Sequence, residues 1–336
     1  MIVRGADGNL GSRVLTGLAA HDDVEVVAAR PGSDASEGVP GDGVPGAADV
    51  IVELGVGDHD TRARRRESVT VGVAGLLADA DASGASHLVL VSSAMVYGAQ
   101  PNNPVPLTED AVVRPDPEFV YARQLASVEE VVEEWRLGAP HRAVTVLRPA
   151  VAIAVDGTSS LARALAAGFG QRFGEADPGA QFVHLDDLAS AVVLAVRRRL
   201  DGVFNVAPDG WIPGERVRAL AGETPRVPLP ERVREVVSAV RWRFQRGPIP
   251  PGLVPYTRES WVVANDKLRA EGWRPTVTNE QAYVEGTEDR WWTMITPKRR
   301  QELSLGALAA ALVLAAVGLV SLGVWTRRRR RARRNR

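Results

Sequence analysis

Seven residues near the amino end, Gly5-Ala6-Asp7-Gly8-Asn9-Leu10-Gly11, form a GxxGxxG turn between a short apolar strand and a helical pattern. Glycines at this spacing let a backbone turn tightly and approach a pyrophosphate, while the helix that follows offers amide donors and a favourable dipole. Gly5, Gly8, Asn9, Leu10 and Gly11 are therefore candidate dinucleotide contacts. The second strand ends at Arg30. An acidic residue there would bond the ribose hydroxyls of NAD, whereas an arginine can pair with the 2′-phosphate of NADP. The expected cofactor is NAD or NADP with a lean toward NADP, and a solvated surface arginine is the competing reading of Arg30. The absence of cysteine excludes disulfides, thiolate metal sites and a cysteine nucleophile. His21, His59, His87 and His141 show no ligand spacing, so no metal is expected.

The elements that must position these residues follow from periodicity. Met1 to Arg4, Val24 to Ala29, Asp49 to Leu54, His87 to Ser92 and Ala143 to Leu147 read as buried strands. Helical patterns run through Leu15 and Leu18, through Val69 to Ala82, and through residues 121 to 135. Strands alternating with helices predict an α/β fold, a doubly wound parallel sheet with right-handed crossovers. Residues 31 to 48 hold five glycines and three prolines and read as loop. Beyond Pro149 the pattern changes to short helices and loops, as in a smaller substrate subdomain. The expected organisation is a Rossmann-like core over 1–150, to which 181–206 returns, and a subdomain over 151–290 in which 223 to 256 are irregular. Arg62 to Arg66 read as a solvated helix face.

The formal net charge is zero, but eight arginines crowd into the last ten residues. Setting them aside leaves 33 basic side chains against 41 acidic ones, an unfavourable surface for nucleic acid. Leu303 to Trp325 is an uncharged run of 23 residues, long enough to cross roughly 30 Å of hydrocarbon. A linker over 291–302, a transmembrane helix over 303–325 and an Arg-rich tail over 326–336 are expected, with membrane lipids as partners of 303–336. The first residues show no charged stretch followed by an apolar one, so no secretory signal is visible, and with the cofactor chemistry the large domain is expected in the cytoplasm. The positive-inside tendency would hold the arginine tail on that same side, and one spanning helix cannot satisfy both.

Four later segments carry a resemblance. Leu90-Val91-Ser92-Ser93-Ala94-Met95-Val96-Tyr97-Gly98, Tyr121-Ala122-Arg123-Gln124-Leu125, Leu147-Arg148-Pro149-Ala150 and Phe182-Val183-His184-Leu185-Asp186-Asp187-Leu188 occur in that order. With Lys267 to Pro275 as a closing stretch, they resemble the extended short-chain dehydrogenase/reductases, the NAD-dependent epimerase/dehydratase-like group. The resemblance implies that Tyr121 is the general acid or base on a substrate hydroxyl or carbonyl and that Ser93 orients that oxygen. It implies a structural junction, not a metal site, at His184, Asp186 and Asp187, and a candidate homodimer through the tyrosine-bearing helix.

The sequence departs from that family where it matters. The lysine four residues after the tyrosine is Leu125, and a tyrosine near pKa 10 is a poor base without a nearby cation. Arg123 stands two residues on and points to another helix face. The usual His-Leu-Ala is Glu53-Leu54-Gly55, which makes Leu54 and Gly55 the corresponding cofactor contacts, and the usual Asn-Val-x-Gly-Thr is Val69-Thr70-Val71-Gly72-Val73. Two functions follow. One is an NAD(P)-dependent oxidoreductase, epimerase or dehydratase acting on a small-molecule hydroxyl or carbonyl of a sugar-nucleotide, lipid or steroid-like substrate. The other is a catalytically impaired relative that binds a dinucleotide or a partner at the membrane.

Overall fold

The computed structural model describes residues 1–21, 25–29, 48–54, 69–169, 177–221 and 251–287. Six parallel strands make the main sheet: β1 (Ile2–Arg4), β2 (Val27–Ala29), β3 (Val50–Glu53), β4 (His87–Val91), β5 (Ala143–Pro149) and β8 (Gly202–Val206). They lie side by side in the order β2-β1-β3-β4-β5-β8. From β1 the chain moves outward to β2 in one direction and through β3, β4, β5 and β8 in the other. The order therefore reverses between β1 and β3, which opens a crevice at their carboxyl ends.

Burial on both faces explains the composition of the strands. In β4, Leu88 and Leu90 pack on one side with α2 (Val69–Ser83) and α3 (Val120–Leu137), while Val89 and Val91 pack on the other. That second face carries α1 (Asn9–Ala19) and α5 (Leu185–Arg198). A strand covered by helices on both faces has no solvent side, hence its nearly continuous apolar run. In α1, Val14 and Leu18 are a turn apart and fully buried against that face.

The remaining elements build a further core over the carboxyl ends of β4 and β5. Strands β6 (Val151–Ile153) and β7 (Phe182–His184) pair in parallel as a separate two-stranded sheet. Around them lie α4 (Ser160–Phe169), α6 (Gly214–Ala221), α7 (Val254–Arg258) and α9 (Asn279–Thr287), whereas Leu268 of α8 (Asp266–Ala270) joins the core of the main sheet beside β8. Phe169, Phe182, Tyr256, Trp261 and Tyr283 are among the aromatic side chains of this further core.

Two readings of the sequence change here. Residues 251–256 were expected to be irregular, yet a 3-10 turn at Pro251–Leu253 leads into α7. Pro255 occupies the first turn, where a missing N–H costs nothing, and Tyr256 and Thr257 are buried. The short strands β6 and β7 were folded into a region read as helices and loops, because three-residue strands are below the length at which periodicity speaks. Among the described residues no helix is long and apolar enough to cross a membrane. Leu303 to Trp325, the arginine tail, Arg62 to Arg66 and the 31–47 loop all lie outside the described residues.

Candidate active site

The glycine turn leaves β1 at the crevice between β1 and β3. Gly5 has φ +79°, a left-handed backbone that residues with a side chain rarely adopt. Gly11 is required for a different reason: a Cβ there would stand 2.5 Å from Ala6 Cα, Ala6 O and Gly5 O, so α1 could not pack this close to the turn. Gly8 caps α1 in an extended conformation without a side-chain acceptor, and around it the nearest atom to an added Cβ is Gly5 O at 3.6 Å. Gly8, Asn9, Leu10 and Gly11 at the start of α1 border a cavity, the place where helix amides can hold an anion. Asn9 donates its side-chain amide to the Asp156 carbonyl, which ties it to the segment that crosses the turn.

This cavity, of about 340 Å³, runs from the turn along the carboxyl ends of the strands into the further core. Gly5, Gly8, Asn9, Leu10, Gly11 and Leu54 line it at one end, Ser93 and Tyr121 further along. The structure therefore brings eight of the ten residues singled out from the sequence to one cavity. Arg30 and Gly55 lie outside the described residues.

Ser93 follows β4 and is half-buried; its Oγ accepts from the Met95 amide at 3.2 Å and caps the 3-10 turn Ala94–Tyr97. A capping role and a place on the cavity wall coexist in one hydroxyl. Tyr121 sits in the first turn of α3, buried, with its ring edge-on to Phe119 at 5.9 Å. One turn on, Leu125 is fully buried within the apolar cluster that includes Met95, Tyr97 and Tyr121. It does not line the cavity, and Arg123 is exposed.

Sequence reasoning missed the polar wall behind Ser93. Ser92 Oγ donates to Glu129 Oε1. Glu129 is gripped by Arg148, whose Nη2 stands 2.6 Å from Oε2, and both side chains are nearly inaccessible. The Arg148 guanidinium lies 4.7 Å over the Tyr97 ring, and Tyr97 donates to Asn205 Oδ1 at 2.9 Å. Burial works to lower the Arg148 pKa, but Glu129 outweighs it and the net shift is upward. Burial likewise raises the Tyr97 pKa against the opposing pull of Arg148. The available signal was a glutamate eight residues after Tyr121 on the same helix face, with an arginine ending an apolar strand.

Two further features bear on the cavity. Residues 154–159 pass over the glycine turn, tied down where Arg13 meets Asp156 at 2.6 Å and Asp186 at 2.5 Å. Arg13 holds the Asp156 carboxyl below its ordinary range. Glu53, at the position of the family histidine, is buried and lies 3.0 Å from Arg4 Nε, while Arg4 Nη1 reaches Asp79 at 2.6 Å. This departure from the pattern is thus spent on tying β1, β3 and α2 together. His184 caps α5 by accepting from the Asp186 amide, and Asp187 accepts from the Thr276 and Val277 amides.

A parallel sheet whose order reverses at a glycine turn, with a tyrosine and a serine on the adjoining cavity, defines a dinucleotide-binding Rossmann-like protein. More narrowly, the chain belongs to the NAD dependent epimerase/dehydratase family, whose profile matches residues 1–207. A 3-diazoavenalumate denitrifying reductase of Streptomyces is 32% identical over 222 residues, which is 62% of this chain and 66% of that protein. The matched stretch spans 57–66% of the curated relatives' own length. UDP-glucose 4-epimerase of Thermus thermophilus, solved with NAD, shares the fold at a TM-score of 0.60 with 20% identity, covering 85% of this chain and 97% of that one. The human epimerase family protein SDR39U1, solved with NADPH, does so at 0.58 with 19% identity, covering 86% and 99%.

Proposed function

We propose that the protein is an NAD(P)-dependent oxidoreductase of the epimerase/dehydratase type, acting on a hydroxyl or carbonyl of a small molecule. The observation that carries this reading is one cavity shared by the glycine turn, Ser93 and Tyr121. Gly5, Gly8, Gly11 and the first amides of α1 would hold the pyrophosphate, and Leu54 would border the adenosine half. A bound nicotinamide supplies or accepts a hydride. Tyr121 gives or takes the proton on the substrate oxygen, and Ser93 orients that oxygen with the hydrogen its hydroxyl still has to donate, since its lone pair serves Met95. Arg30 is the reason to prefer NADP over NAD.

Titration of the full chain with NADPH and NADH by calorimetry tests the reading. Micromolar binding of either is expected, NADPH the tighter, and no binding at millimolar concentration would sink it. Tyr121→Phe should then lower turnover by about 10²–10⁴-fold while leaving dinucleotide affinity nearly unchanged.

A second reading, a catalytically impaired relative, is favoured by one observation: Leu125 is fully buried and apolar where the family has lysine. It predicts tight dinucleotide binding with no turnover on any carbonyl panel. In either case we place the chain at a membrane through Leu303 to Trp325, with the large domain cytoplasmic and a homodimer formed through α3. Deleting residues 303–336 should move the protein to the soluble fraction, and cross-linking should capture a dimer.

A further inference from the structure

The chemistry of the cavity wall speaks to what enters it. Beyond the glycine turn the wall is carbon: Met95, Val151, Leu161, Ala162, Leu165 and Trp261 face the space next to Ser93 and Tyr121. Trp261 adds only its ring, because its indole N–H already donates to the Tyr256 carbonyl at 2.8 Å. Ser92 is committed to Glu129. The start of α4 also borders the cavity, but its amides are partly spent: Ala162 N donates to Ser159 Oγ and Arg163 N to Ser159 O. Among the described lining residues there is no lysine, arginine or histidine, and the single charge is Asp7, an acid at the glycine turn.

A nucleotide-linked sugar brings its own diphosphate, which needs cations or free amides at a second place along the site. Against Leu161, Leu165 and Trp261 that diphosphate would lose water with no cation among the described lining residues to replace it. A neutral ring system gains instead from every one of these contacts, and needs only a single polar tip at Ser93 and Tyr121. The cavity is also at the small end of ligand sites, and the nicotinamide end must share it.

We infer that the substrate is a small, uncharged, ring-bearing ketone or secondary alcohol, whose ring the apolar wall holds beside Ser93 and Tyr121. This inference rests on the oxidoreductase reading above. In the reducing direction the hydride supplied by NADPH adds to the carbonyl carbon, a proton from Tyr121 goes to the oxygen, and the products are the alcohol and NADP⁺. Leu161, half-buried on α4 and on the wall, is the residue that sets this preference.

The test is ligand binding by saturation-transfer NMR and calorimetry on the full chain loaded with NADP⁺, using 1-tetralone and UDP-glucose as probes. Tetralone should bind at least about tenfold more tightly than UDP-glucose. Leu161→Arg should lower tetralone affinity by about tenfold or more, and Leu161→Met should restore it, both measured on protein that still takes up NADP⁺. UDP-glucose binding as tightly as tetralone, or neither probe binding to NADP⁺-loaded protein, overturns the substrate assignment while leaving the oxidoreductase reading standing. Failure to take up NADP⁺ at all overturns both.

Discussion

Helix α3 turns two kinds of side chain toward the same strands. Tyr121 and Leu125, in its first two turns, lie in the apolar cluster beneath the cavity. Glu129, a turn later, is equally buried but charged, and it is met by Arg148 from β5 and by Ser92 after β4. One helix therefore keeps a buried ion pair where no ligand touches it and has an aliphatic side chain where the family's catalytic cation stands. The difference separates two demands on a charge. Arg148 and Glu129 compensate each other inside the fold, so their burial is tolerable without a ligand. A lysine at position 125 would find the carboxylate one turn on, Glu129, already held by Arg148 and Ser92, so its burial is repaid chiefly when a dinucleotide is bound.

Breaking the compensated site should have the largest effect. Arg148→Met leaves Glu129 buried with only a serine to bond it, and should cost about 3–5 kcal/mol in urea denaturation. The double variant Arg148→Met/Glu129→Leu should recover most of that loss. If the double variant is as unstable as the single, the pair is not the compensated unit described here. The uncompensated site gives the next test. Leu125→Lys places an amine at a fully buried position, with a stability cost of up to about 4 kcal/mol if its pKa falls by about three units. Saturating NADPH should then raise its melting temperature by more than it raises that of the parent chain. Equal shifts would mean that this turn of α3 no longer faces the dinucleotide.

Both turns were unequally legible in the sequence. The glycine turn and the alternation of apolar strands with helices give the doubly wound sheet, because both signals are local and periodic. Tyr121 and Ser93 became candidates only through the ordered likeness to a family, and the cavity they share is a property of the tertiary arrangement. Glu129 was passed over, and Arg148 entered only as part of a family-like segment: the two are nineteen residues apart on different elements, so their pairing leaves no local signal. Glu53 was read as a loss from the cofactor site, whereas its pairing with Arg4 depends on the register of β1 against β3, which composition does not carry. The short strands β6 and β7 and Trp261's place on the wall left no local signal at all.

Strand β4 extends the comparison, because it has a buried polar group at each end. Ser92, past its carboxyl end, feeds the compensated charges, whereas His87, its first residue, has only neutral partners. His87 Nε2 lies 2.9 Å from Thr145 Oγ1 and 3.1 Å from the Leu200 carbonyl. Thr145 already donates to Leu200 O, so Nε2 is the donating nitrogen and Nδ1 carries the lone pair. Nδ1 has no hydrogen-bond partner among the described residues. Protonation would bury a second N–H with no acceptor, and burial, reinforced by Arg199, lowers the His87 pKa to about 4. The unfolded chain takes up that proton near pH 6.5 and the folded one does not, so stability is intact above about 6.5 and declines as the pH falls toward 4. The full decline attributable to His87 is about 3 kcal/mol, roughly 1.4 kcal/mol for each unit of pKa difference. Urea denaturation of the parent chain and of His87→Gln at pH 7, 6 and 5 isolates it, since most carboxylates remain ionised over that range. The parent should lose stability steadily from pH 6.5 to 5, and the variant, less stable at pH 7, should lose much less. Parallel slopes would show that the neutral end of β4 is as well compensated against a proton as the end that carries Glu129 and Arg148.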